Sequence, residues 1–300
     1  MFSGATLVTG CGSEAAPPKD TGKLKPDALR RAMAKIAPLH EKKKIPQPGD
    51  WLDRFGEQEK GQTFDEYLKT GRRIGQVYPK LYLQPLGTFD STGDELLKTV
   101  AEAMTCFFGL PTDLLKTRGL DDWPDDAERV NARTGKRQIL STYVLDPVLK
   151  RIRPRDAAAI LGLTNEDLWP GEGWNYVFGQ ASLDERVGIW STARFGDPQG
   201  DDAERKRFVR RTLKVALHET GHMFGIPHCI AYECGMNGAN HLEEGDRQPL
   251  EYCPECQAKL WWTNDYDPQT RSKKLAEFAE KHHLEDEAKS WKATVETLSQ

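Results

Sequence analysis

The stretch His218-Glu219-Thr220-Gly221-His222-Met223-Phe224-Gly225-Ile226-Pro227-His228 decides how this chain is read. Cys229, Cys234, Met236, Cys253 and Cys256 follow it closely, so the three histidines and the glutamate of this stretch fall within thirty-nine residues together with four cysteines. A helix turns once every 3.6 residues, so side chains four apart stand one above the other on a single face. His218 and His222 can therefore aim two imidazoles at one ion from a rigid support. Zinc takes such nitrogens at about 2.0–2.1 Å in a tetrahedral shell. Glu219, between them, is angled to the side of that face, where a carboxylate can reach a metal-bound water without ligating the metal.

Gly225 then predicts the helix end, because a glycine readily adopts the left-handed conformation that closes helices. Pro227 lacks an amide hydrogen and discourages helical continuation. The turn is expected to carry His228 back to the metal as a third ligand. Three protein ligands leave a fourth position for water or substrate, which distinguishes a catalytic zinc site from a structural one.

Cys229-x4-Cys234 and Cys253-x2-Cys256 form two short-spaced pairs separated by eighteen residues. Repeated pairs of this kind read as a four-cysteine zinc site with sulfur ligands at about 2.3 Å. The alternatives are two disulfides, or one disulfide with two free thiols. A redox CxxC has no thioredoxin-type strand and helix around it here. Because Cys229 adjoins His228, a cysteine-bound metal would brace the third histidine from outside its own site, and folding and metal loading are expected to be coupled.

The string HETGHMFGIPHCIAYECGM, followed by NHLEEGDRQPLEYCPEC, resembles the archaemetzincin family of metallopeptidases. Trp174 to Gly196 (WNYVFGQASLDERVGIWSTARFG) is similar to the family segment preceding the catalytic helix, and Pro46 to Leu68 is weakly similar to its longer members. The resemblance is strongest over residues about 135 to 260. It implies two zinc ions, one catalytic on His218, His222 and His228 and one structural on Cys229, Cys234, Cys253 and Cys256. It further implies Glu219 as general base and acid, and Met236 as the methionine of the turn beneath the catalytic metal; a core gap-filler is the alternative for Met236. The implied fold is a metzincin-like zincin of the α/β (α+β) class: a mixed twisted sheet packed with an active-site helix, plus a four-cysteine zinc-bound C-terminal loop region and a C-terminal helix. The expected substrate is a peptide or protein, with endopeptidase and aminopeptidase action both open. The rival reading is a catalytically inactive, zinc-stabilised peptide-binding module, which has no need of Glu219.

The composition of the 300 residues agrees with an ordinary globular chain: 38% hydrophobic, 29% charged and a net charge of −4. No basic excess points to nucleic acid, and no apolar run reaches the roughly eighteen residues of a membrane-spanning helix. Val8-Thr9-Gly10-Cys11 resembles a bacterial lipobox, yet its hydrophobic part is short and no Lys or Arg precedes it. Two expectations stand side by side: a lipoprotein anchored through Cys11 if the true start lies upstream, or a cytoplasmic chain with a disordered leader and a free Cys11. Residues 1–25 are read as this leader, 26–75 as an N-terminal helical extension and 76–300 as the catalytic domain.

Helices are expected at about Pro26–Ala37, Gly93–Leu110, Tyr143–Ile152 and Ala203–Phe224. Strands are expected at Leu81–Leu83, Gln138–Leu140, Ala157–Gly162, Trp174–Phe178 and Val187–Thr192. In the implied architecture one such strand borders the cleft and can pair with a substrate backbone. Asp201, Asp202 and Glu204 complement the helix dipole at the start of the active-site helix. The Lys42-Lys43-Lys44 run reads as solvated surface, Trp261-Trp262 as core, and Leu284, Ala288, Trp291, Val295 and Leu298 as the apolar stripe of a C-terminal helix. His241 reads as a loop support, and His40, His282 and His283 as surface residues without ligand spacing.

Overall fold

Ala157–Thr164 (AAAILGLT) is buried along its whole length, as a strand covered on both faces must be. A computed structural model of the chain describes residues 22–121, 123–182 and 184–300, and this strand forms the centre of its five-stranded sheet. The spatial order is Thr112–Leu114, Lys80–Leu86, Ala157–Thr164, Val187–Ser191 and Gly179–Ser182. The first four run parallel, whereas the edge strand Gly179–Ser182 returns antiparallel against Val187–Ser191. A smaller three-stranded sheet pairs Glu128–Val130, Arg137–Leu140 and Asp167–Trp169. Residues 1–21 of the leader, with Cys11, lie outside the described residues.

Side chains alternate across a strand with a period of two, and the core divides accordingly. Leu81, Leu83, Ala159, Leu161 and Leu163 join the larger cluster with Phe107, Leu213, Leu217 and Trp261. Tyr82, Ile160, Val187 and Ile189 face the opposite way, onto Val144, Leu145 and Leu149. Those last residues lie on a helical segment, Ser141–Tyr143 continued by a wider π-helical stretch Val144–Lys150. Pro147 sits inside that stretch and has no N–H to give, which accounts for the departure from α-helical bonding.

The first sheet face is covered by the helices Ser91–Phe108 and Asp202–Met223. Asp201 caps the latter, accepting from the Glu204 amide at 2.9 Å while Glu204 accepts from the Asp201 amide at 3.1 Å. This reciprocal box satisfies two otherwise orphaned donors. At the far end Gly225 has φ +77°, the left-handed conformation expected of it.

The N-terminal helix Pro26–Ile36 begins on a proline and buries Leu29 and Ile36 against the helix Pro254–Asn264 and the C-terminal helix Glu285–Ser299. Leu29, Ile36, Phe64 and Tyr67 thus share one core with Trp261, Leu275 and Trp291. Trp261 and Trp262 are buried, as the sequence suggests. Several helices go beyond those the sequence reading placed, the longest of them Pro254–Asn264 and Pro268–Lys281. Trp174–Phe178, expected as a strand, makes only a single bridge from Val177 to Leu168, and regular pairing starts at Gly179. The aromatic rings there have another use: Tyr176 and Phe178 line an open cavity, and Tyr176 lies under the Arg194 guanidinium. Among the described residues no helix is long and apolar enough to cross a membrane.

Candidate metal centres

His218 and His222 occupy successive turns of the active-site helix, and the turn at Gly225 brings His228 round to meet them. The three ring centroids lie 4.6, 4.9 and 5.3 Å apart, and the ligand atoms fall within 4.8 Å of one another. The Nε2 atoms of His218 and His222 are 3.0 Å apart, close to the edge of about 3.3 Å that a tetrahedron with 2.0 Å bonds requires. Every Nδ1 is already engaged: that of His218 with Gly235 O at 2.9 Å, that of His222 with Ile226 O at 2.8 Å, and that of His228 with Glu59 Oε1 at 2.6 Å. An acceptor at each Nδ1 fixes the tautomer that leaves Nε2 with its lone pair. The Nε2 of His228 is buried without a hydrogen-bond partner. Burial, together with the neighbouring imidazoles, pushes His218 well below its ordinary range and His222 down to about 3. The His218 and His222 imidazoles are therefore neutral, as ligands must be. This donor set fits one zinc.

Glu219 is fully buried beside them, and neither of its carboxyl oxygens has a hydrogen-bond partner. Burial pushes its carboxyl up to about 8. The edge strand makes room for it: a Cβ at Gly179 would lie 2.8 Å from Glu219 Oε1 and 2.9 Å from its Cγ. A glycine in a strand often marks such a close approach. Phe178, one residue earlier, lines the open cavity of about 830 Å³ together with Tyr176, Asp167, Arg194 and Leu242.

Met236 is fully buried and packs close to the helix at Gly221. A Cβ at Gly221 would come within 2.4 Å of its sulfur and 2.3 Å of the Tyr252 hydroxyl. That hydroxyl donates to Leu217 O at 2.7 Å and so fastens the segment before Cys253 to the helix.

The four cysteines converge in the same loop system. Their sulfurs all lie within 4.8 Å of one another, and those of Cys229 and Cys253 are 3.6 Å apart. That distance exceeds a disulfide bond and matches the edge of about 3.8 Å expected for four sulfurs at 2.3 Å from one zinc. All four are free thiols, which removes the disulfide alternatives for these residues. The amides of Met236 and Cys253 donate to Cys234 Sγ at 3.4 and 3.1 Å. The three neighbouring sulfurs lower the Cys229 thiol, whereas burial raises Cys234 and the Cys229 sulfur raises Cys256. Four buried sulfurs in contact ionise together only around a cation, so this set also fits zinc.

Asn237, which the sequence reading passed over, holds this loop. Its amide donates to Cys229 O at 2.7 Å and Tyr232 O at 2.9 Å, and its oxygen accepts from the Cys234 amide at 2.9 Å. Its place immediately after Met236, in a loop flanked by glycines, was the available signal. Glu59 was also missed, and no local pattern announces it. A third cluster, Asp50, His241 and Glu244, brings ligand-type groups together but is satisfied by protein donors. Arg247 pairs with Asp50 at 2.6 Å, and Glu244 accepts from the Trp51 and Asn240 amides. His241 caps the helix Leu242–Arg247 by accepting from the Glu244 amide, the supporting role expected of it.

The family model described as peptidase family M54 matches residues 144–261. Archaemetzincin-2 of Rattus norvegicus is 34% identical over 243 residues, covering 70% of this chain and 67% of that protein. The human archaemetzincin-2 is 33% identical over 245 residues, with coverage of 71% and 67%. Archaemetzincin of Pyrococcus abyssi is 39% identical over 127 residues, or 42% of this chain and 66% of that protein. Among solved structures, archaemetzincin of Methanopyrus kandleri superposes with a TM-score of 0.51 at 28% identity, over 63% of this chain and 97% of that one. The chain belongs to the archaemetzincins, peptidase family M54, and is a zinc-dependent peptidase.

Proposed function

We propose that His218, His222 and His228 hold one catalytic zinc, that Glu219 is the general base and acid, and that Cys229, Cys234, Cys253 and Cys256 hold a second, structural zinc. The observation that carries this reading is the unpartnered Glu219 carboxyl beside three imidazoles whose Nδ1 atoms are all engaged. When bound, the catalytic zinc supplies Lewis acidity, lowering the pKa of a coordinated water towards about 7 and polarising a carbonyl.

The chain supplies the rest. Glu219 accepts the proton of the attacking water and delivers it to the leaving amine. Full burial encloses that carboxyl beside the imidazoles. The same enclosure keeps bulk water from competing for the carboxylate. The edge strand Gly179–Ser182 offers backbone groups on its outer side to an extended substrate, a common mode of peptide recognition. Tyr176 and Phe178 in the adjoining cavity give apolar surface for its side chains.

The test is zinc content together with turnover of a peptide library by wild type and Glu219→Gln. Two zinc ions per chain in both, with turnover lower by about 10²–10⁴ in the variant, is the expected result. Equal turnover in both would refute the role of Glu219, and negligible turnover in both would favour a peptide-binding module.

A further inference from the structure

We propose that Glu59 is a positioning residue for the catalytic metal: its carboxylate holds His228 as the third ligand and strengthens it. The proposal rests on the reading that the three histidines hold zinc.

The three imidazoles are not held alike. His218 and His222 stand on a regular helix and present their Nδ1–H groups to backbone carbonyls, Gly235 O and Ile226 O. His228 lies beyond the helix end, where no helical turn fixes its ring. It presents Nδ1–H to a carboxylate instead, at the shortest of the three distances, 2.6 Å. A hydrogen bond to an ionised acceptor is roughly twice as strong as one between neutral groups. A carboxylate behind an imidazole also raises the basicity of the opposite nitrogen, the one offered to metal. The ligand with the weakest backbone support thus has the strongest partner.

Glu59 is itself well held. The same Oε1 accepts from Trp51 Nε1 at 2.6 Å, and the Trp51 ring meets the His228 imidazole edge to face at 5.0 Å. The Trp51 amide donates to Glu244 at 3.0 Å, and Asp50 pairs with Arg247. On the far side of Glu59, the Phe64 amide donates to Glu255 Oε2 at 2.6 Å. Residues 50–64 are therefore tied on both sides of Glu59 to the loop and helix that carry the cysteines. The segment preceding the sheet completes the first metal centre from 169 positions away in the chain.

The experiment uses the full chain loaded with zinc. Metal content is measured after equilibration with a graded series of zinc chelators, for wild type, Glu59→Gln and Glu59→Asp, alongside thermal melting. Gln is isosteric and retains a neutral acceptor, so it isolates the charge; Asp retains the charge on a shorter arm. The histidine site of Glu59→Gln is expected to bind zinc about 10–100-fold more weakly. The cysteine site and the melting temperature should be unchanged, and Glu59→Asp should fall between. Equal weakening of both sites, or an unchanged histidine site, would overturn the proposal. A wild-type chain that holds only the cysteine-bound ion would overturn the three-histidine reading beneath it.

Discussion

The two candidate metal centres touch through a single peptide bond, between His228 and Cys229, yet they are built on opposite plans. In the histidine centre two donors ride on a rigid helix, every second nitrogen is committed, and one acidic group is left buried with no partner. The cysteine centre is made from loop and helix start, and its sulfurs meet one another and backbone amides instead. One site spends its surroundings on orienting ligands and leaves a reactive group unsatisfied. The other leaves no such group. An unpartnered buried carboxyl is costly, of order several kcal/mol, and a fold keeps one where function requires it. On the proposed reading, the contrast separates a centre for chemistry from a centre for architecture.

The harshest way to break the comparison is to remove the architectural site. Replacing both Cys253 and Cys256 by Ser should lower zinc content by about one per chain and abolish cooperative melting. Structural zinc in small domains is worth roughly 10–16 kcal/mol of apparent binding energy at neutral pH. A melting transition like that of wild type would show that the cysteines do not support the fold.

A gentler change acts on the chemical site alone. Gly179→Val places a Cβ inside contact distance of the Glu219 carboxyl and should displace it. A misplacement near 1 Å costs about 10²-fold in rate, so kcat should fall by that order while both metal ions stay bound. Undiminished turnover would mean that Glu219 need not occupy this position. Smallest is Asn237→Ala, which strips the Cys234 amide of its acceptor and two carbonyls of a donor. Unfolding by denaturant should register a loss of about 1–3 kcal/mol. An unchanged midpoint would remove Asn237 from the account of how the loop is held.

The histidine motif, the helix stop at Gly225 and the central strand at Ala157 were all legible in the sequence, because each is a local pattern with a local cause. The helices Pro254–Asn264 and Pro268–Lys281 were harder. In the first, nearly every residue is buried, so no polar face alternates with an apolar one and the helical period leaves no trace. Lys43 was misjudged for a related reason. Within a run of three lysines it reads as solvated, but it pairs with Glu233 at 3.0 Å with only 16% of its side chain exposed. Lys42 lies over the Tyr232 ring. Glu59 shows the limit most clearly: its meaning depends on a partner 169 residues away, and no window of sequence contains both.

The shared bond between His228 and Cys229 has a thermodynamic consequence. If filling the cysteine cluster restricts where His228 can go, it raises affinity at the neighbouring centre. By reciprocity, filling that centre must then tighten the cysteine cluster by the same factor. Two ions of one element, bound by unlike donors, would then load cooperatively. A chain short of zinc would tend towards fully charged and empty molecules, with few holding a single ion.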